Sequence, residues 1–163
     1  MISVIFPGQG SQIVGMGKDL HSKYNIIKKL FKEADEILGF SISNIILEGP
    51  KEKLDLTENT QPAIFLLGYS IFNLLKKENF IDLNKAKFFA GHSLGEYTAL
   101  ASAEVLSFSE TLKILKVRGN AMQNSVPKGE GGMVAVLGSD IKKIEDIINN
   151  NSKLYECFIA NDN

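Results

Sequence analysis

Between Lys87 and Leu100 the sequence reads KFFAGHSLGEYTAL: a short apolar run, a serine held between two glycines, and the start of a helical pattern. The N-terminus repeats this order, with ISVIF at residues 2–6 entering PGQGSQIVGMG, which carries four glycines in eleven residues. Neither apolar run alternates with polar residues, so each reads as a strand buried on both faces, as in a parallel sheet covered by helices. Strand, glycine-bearing turn and helix, twice over, predict a doubly wound α/β sheet. Ligands of such sheets bind beyond the carboxyl ends of the strands, which is where both turns fall.

The rest of the chain supplies the helices. From Asn25, the positions Ile26, Ile27, Leu30, Phe31, Ala34, Ile37 and Leu38 repeat at helical spacing, and Gly39 is a natural stop. TQPAIFLLGYSIFNLLKKE predicts a helix with Thr60 as N-cap and Pro62 in the first turn, apolar on nearly every face and therefore buried. LGEYTALASAEVL predicts a helix after the serine, and SETLKILKVRGNAMQNS another with Ser109 as its cap. After Pro127 the texture changes. KGEGGMVAVLG predicts a glycine-rich hinge and a strand, SDIKKIEDIINN a capped amphipathic helix, and YECFIA a further strand, together one βαβ unit. The expected organisation is therefore an N-terminal α/β part over residues 1–127 and a second part over residues 128–163. Two strands before Pro127 fall short of the five or six common in a sheet, so a truncated chain, the front portion of a larger fold, is expected.

A formal charge of −1 with 44% hydrophobic and 23% charged residues describes an ordinary globular chain and offers no nucleic-acid surface. The lysine pairs 28/29, 76/77 and 142/143 lie beside apolar residues at helical spacing and read as solvated faces, or else as a docking patch for an acidic partner. Cys157 is the only cysteine, which excludes an internal disulfide and suits a reducing compartment. ISVIF is stopped by Pro7 without a basic segment before it, unlike a signal peptide, and no apolar run reaches the roughly 20 residues of a membrane span. A cytoplasmic protein without membrane or nucleic-acid partners is expected.

Gly91-His92-Ser93-Leu94-Gly95 fits the G-x-S-x-G nucleophile elbow, with a strand before it and a helix after it. Ser93 is thereby the candidate nucleophile, with the free N–H groups and positive potential of a helix N-terminus beneath it, suited to an oxyanion. A backbone N–H from the GQGSQ loop at residues 8–12, with that of Leu94, would complete a two-donor oxyanion hole. The loop spacing is neither that of a P-loop nor of a dinucleotide fingerprint. Arg118 lies four residues after Ile114 and four before Met122, in an apolar row. A guanidinium there needs a partner, either Glu96 or Glu104 in a salt bridge or a substrate carboxylate taken up bidentately. Spacing leaves both open. His92 adjoins Ser93 but projects elsewhere on an elbow and reads as a packing residue, while His21 reads as a surface helix histidine.

Together FPGQGSQ, GHSLGEY, VRGNAMQ and GGMVAVLG resemble the malonyl-CoA:acyl-carrier-protein transacylases, acyltransferases of fatty-acid synthesis related to polyketide-synthase acyltransferase domains. The resemblance runs from Ile2 to Asn163. It implies an α/β-hydrolase-like parallel-sheet subdomain and the start of an inserted ferredoxin-like subdomain. It also implies Ser93 as catalytic nucleophile, the backbones of Gln9 and Leu94 as oxyanion donors, and Arg118 as the substrate-binding arginine. Malonyl-CoA and acyl carrier protein are the implied partners, with no metal and no cofactor. The family's general-base histidine and a further glutamine are expected C-terminal to the matched region, so this chain is expected to lack the base. A serine hydrolase such as a thioesterase, and a non-catalytic acyltransferase remnant, are the alternatives.

Overall fold

The computed structural model describes residues 2–125 and 130–162, and the chain divides into two compact units, Met1–Pro127 and Lys128–Asn163. The hinge expected at Lys128 and Gly129, and the change of texture at Pro127, lie outside the described residues.

In the first unit the two expected strands form, as β1 (Ile2–Phe6) and β2 (Ala86–Gly91), and they pair in parallel with Val4 opposite Phe89 and Phe6 opposite Gly91. Seven helices accompany them among the described residues: α1 (Lys18–Lys23), α2 (Asn25–Leu38), α3 (Ile42–Glu48), α4 (Lys51–Leu54), α5 (Thr57–Glu78), α6 (Leu94–Ser102) and α7 (Phe108–Asn124). The stripe from Asn25 forms as expected: α2 buries Ile27, Phe31 and Ala34 and ends at Gly39 in the left-handed conformation, φ 74°. The core gathers around α5, where Phe65 and Leu66 pack with Phe31, Ile42, Ile46, Leu94, Leu112 and Leu115, all fully buried.

Both strands depart from the expectation of two covered faces. Phe72 of α5 and Ala99 of α6 pack on the face carrying Val4, Phe6 and Phe89, whereas Ile5 and Phe88 on the opposite face are 75% and 60% exposed. A run without alternation marks a strand whose faces are both apolar, but coverage needs a helix on each side, and the described helices that reach the sheet lie on one.

The helix caps differ too. Thr60 is not an N-cap: α5 begins three residues earlier, and Thr60 is fully buried inside it, donating from Oγ1 to the carbonyls of Leu54 at 2.6 Å and Leu56 at 3.1 Å. Pro62 accordingly sits beyond the first turn. The first N–H of α5, on Thr57, is taken by Gln123 Oε1 of α7 at 3.0 Å, so the cap comes from another helix. For α7 the cap is Ser107, not Ser109. Ser107 Oγ accepts from the N–H of Glu110, and Glu110 accepts from the N–H of Ser107 at 3.0 Å, a reciprocal capping box that needs Glu three residues on.

In the second unit α8 (Ile141–Asn151) forms, capped by Asp140 Oδ1 accepting from Lys142 N–H at 2.9 Å. The two strands expected around it do not form. Residues 131–137 and 155–160 have no strand pairing, and Leu137 and Phe158 are 90% and 83% exposed. Their composition suits strands, but a strand is stabilised only by a hydrogen-bonded neighbour, and no described residue supplies one. Amide hydrogen exchange should therefore separate the units. Residues 131–137 and 155–160 should exchange at near-peptide rates, while Phe65 and Leu66 are protected by about 10³-fold or more; comparable protection in the two sets would contradict the unpaired segments.

Candidate active site

The turn from β2 into α6 holds Ser93 at φ 53°, ψ −114°, a left-handed backbone that costs a residue with a Cβ about 1–3 kcal/mol. The flanking glycines make it possible. A Cβ on Gly91 would lie 2.0 Å from the backbone of Gly95, and one on Gly95 would lie 2.5 Å from the carbonyl oxygen of Phe6. No side chain fits at either position, so the start of α6 rests directly on the end of β1. His92 N–H donates to Phe6 O at 3.2 Å and Gly95 N–H to His92 O at 2.8 Å, which close the turn. Ser93 is left exposed above it.

The loop after β1 lies against this elbow, since a Cβ on Gly8 would fall 2.6 Å from His92 Nδ1 and 2.9 Å from the carbonyl oxygen of His92. Side chains pin the loop from below. Gln12 accepts the N–H of Gly10 at 2.8 Å and donates to Asp55 at 3.0 Å, while Gln9 Nε2 donates to Thr57 Oγ1 at 3.3 Å. Asp55 is in turn bound by Lys51. The Lys51 hydrogen bond, and then that of Gln12, hold the Asp55 carboxyl below the usual carboxylate range, and Asp55 holds the Lys51 ammonium above its usual value. Among the described residues no acceptor takes the backbone N–H of Gln9 or of Leu94.

Arg118 is the only arginine of the chain. It projects from α7 toward the elbow, with Nη2 donating to Ser93 Oγ at 3.1 Å, Nη1 donating to Gln61 Oε1 at 2.6 Å, and its guanidinium carbon 5.8 Å from the Tyr97 ring centre. Gly119 permits the approach: a Cβ there would meet Glu58 Cα at 2.7 Å and Thr57 O at 2.8 Å, so α7 packs backbone to backbone on α5. Neither acidic partner considered for Arg118 is engaged with it. Glu104 pairs with Lys76 at 2.7 Å, and among the described residues Arg118 makes no ion pair, with Glu96 or any other.

Ser93, Leu94 and Arg118 thus stand together, and the Gln9 loop adjoins them. Neither histidine bonds Ser93 among the described residues. His92 is exposed, and His21 is half-buried with its ring 5.1 Å from that of Phe31. Sequence reasoning missed Gln61, Gln12, Asp55 and Thr57. Gln61 left one trace: a polar residue just before Pro62 at the head of a helix apolar on every face, where a buried amide must find partners.

The acyl transferase domain family matches residues 4–162. The chain belongs to this family. It is 42% identical over 146 residues to the malonyl CoA-acyl carrier protein transacylase of Bacillus subtilis (strain 168), covering 90% of this chain and 45% of that protein. The crystal structure of acyl-carrier-protein-S-malonyltransferase from Bartonella henselae superposes with a TM-score of 0.91 at 43% identity, over 100% of this chain and 52% of that one. A malonyl-transacylase in complex with its type II PKS acyl-carrier protein superposes with a TM-score of 0.73 at 36% identity, over 78% of this chain and 40% of that one. The chain spans about half the length of these relatives.

In this acyl transferase domain the Asp55 anchor titrates in a definite direction. Its folded pKa is depressed, so its contribution is present above the unfolded value of about 3.9 and is lost as pH falls through the folded value. Urea midpoints of the wild type and Asp55→Asn should differ at neutral pH and converge as pH falls below about 4. A difference that persists undiminished in acid would show that the ionised carboxyl does not hold the loop.

Proposed function

We propose that this chain carries the nucleophile and acyl-recognition half of a malonyl-CoA:acyl-carrier-protein transacylase, working in fatty-acid synthesis through an ester on Ser93. The observation that supports it most is the Arg118 fork, hydrogen-bonded to Ser93 Oγ and free of any carboxylate among the described residues. The partner chemistry comes from the relatives, all three named for malonyl transfer and one of them solved with its acyl-carrier protein. On this reading residues 1–127 are part of the α/β-hydrolase-like subdomain and residues 128–163 the start of the ferredoxin-like one. Cys157, exposed as a lone thiol, suits the reducing cytoplasm.

Ser93 Oγ attacks the thioester carbonyl of malonyl-CoA, the C–S bond breaks, and coenzyme A leaves as the thiol with the proton that Ser93 gave up. The N–H groups of Gln9 and Leu94 receive the oxyanion of the tetrahedral intermediate. The pantetheine thiol of acyl carrier protein then attacks the serine ester, takes the malonyl group as a new thioester, and restores the hydroxyl. In the family's pattern a histidine relays the proton, and neither His21 nor His92 contacts Ser93 for that task. Arg118 receives the malonyl carboxylate. Since its Nη2 also holds Ser93 Oγ, arrival of a carboxylate draws the guanidinium away from the hydroxyl and leaves the Oγ lone pair free to attack.

Two outcomes test this. Incubation of the chain with malonyl-CoA should place a malonyl ester on the Ser93 peptide by mass spectrometry; an adduct that survives Ser93→Ala would refute the assignment. Arg118→Ala should reduce acylation by malonyl-CoA relative to acetyl-CoA by about 10-fold to 150-fold, the equivalent of a charge-assisted hydrogen bond of about 1.5–3 kcal/mol. Equal losses for both acyl groups would assign Arg118 a structural role.

A further inference from the structure

Gln61 is fully buried on α5, yet no assignment of the site requires it. Its amide is engaged at both ends, Oε1 accepting from Arg118 Nη1 at 2.6 Å and Nε2 donating to Met122 Sδ at 3.2 Å. The two contacts fix the amide's sense. The oxygen must face the guanidinium, because a turned amide would aim two N–H donors at a cation that accepts nothing, and would offer a carbonyl oxygen to a sulfur with no proton to give.

The choice of an amide over a carboxylate decides how much charge the fork retains. A carboxylate at this position would meet Arg118 at the same distance and compensate it. An amide oxygen orients the fork equally well and leaves the positive charge in place. The other neighbours continue the pattern: Ser93 Oγ is a hydroxyl, the Tyr97 ring is neutral, and Met122 is a thioether. The nearest acidic side chain on α5, Glu58, is taken by Lys116 at 3.1 Å, one helical turn away from Gln61.

We infer that Gln61 is the specificity-setting positioning residue of this site: a neutral, buried acceptor that aims the sole arginine while leaving its charge for an acyl group that carries its own carboxylate. This rests on the reading of Arg118 as the carboxylate site and extends it to the residue that keeps the site vacant of internal acid.

Because Arg118 is the only arginine, an arginine reagent reports on it alone, without turnover. The experiment follows modification of the 163-residue chain by butanedione in intact-mass spectra, with and without monoethyl malonate, an ester bearing one carboxylate. Ethyl acetate, the same ester without the carboxylate, is the control. In the wild type, monoethyl malonate should protect Arg118 and ethyl acetate should not. Gln61→Glu should slow the basal reaction by about fivefold or more and weaken protection by about tenfold or more, the scale of one ion pair exchanged for another. Gln61→Met, neutral but without the acceptor, should keep protection with severalfold weaker apparent affinity, because the fork is no longer aimed. Should Gln61→Glu fail to fold by circular dichroism, Gln61→Met still decides. Protection indistinguishable from wild type in the folded Gln61→Glu chain, or in Gln61→Met, would overturn the inference, as would an unprotected Arg118 in the wild type. These readouts separate it from the transacylase reading: loss of Ser93 acylation with the arginine pattern intact refutes the function alone, and normal acylation with an unaltered Gln61→Glu pattern refutes the inference alone.

Discussion

The guanidinium of Arg118 is the constraint around which the first unit is organised. It reaches the elbow only because α7 touches α5 at backbone distance through Gly119, and that contact brings Lys116 onto Glu58 and Gln123 onto the first N–H of α5. The head of α5 therefore buries polar residues in succession. Asn59 donates to Lys53 O at 2.9 Å, Thr60 to Leu54 O, and Gln61 faces Arg118. Each finds a hydrogen-bond partner, as most buried polar groups do. Thr57 ties the same helix start to Gln9. Ser93, the loop after β1 and the guanidinium are all referenced to one helix end.

How legible this was in the sequence follows from the range of each interaction. The elbow could be read because its steric demands are local: Gly91 and Gly95 are required by contacts within the turn and with the end of β1. The capping box is equally local, written as Ser107 and Glu110, whereas the expected cap was Ser109. Arg118 stood out by lying in an apolar row, but its partner could not be read, because Gln61 is 57 positions away. The start of α5 was misplaced for the same reason: its cap is Gln123, 66 positions from Thr57, so the local sequence holds no capping residue to find. The two expected strands of the second unit failed in the opposite way. Their local composition favours strand, and the deciding term is a neighbour that local composition does not contain.

A site that holds a cation against neutral groups gives up the strong compensation of an ion pair, and the geometry shows what it obtains in return. A hydrogen bond from a charged donor to a neutral acceptor is worth less than a bidentate charge pair, so the fork is aimed without being satisfied. Partial burial sharpens the difference, because a charge screened less by water acts more strongly on an arriving anion. On the proposed reading the strained Ser93 backbone and the pinned loop serve the same end, since donors fixed before the reaction require no reorganisation when charge develops. The order of the site thus precedes its ligand. Its rigidity comes from amides and glycines, and among the described residues the Arg118 guanidinium has no acidic partner.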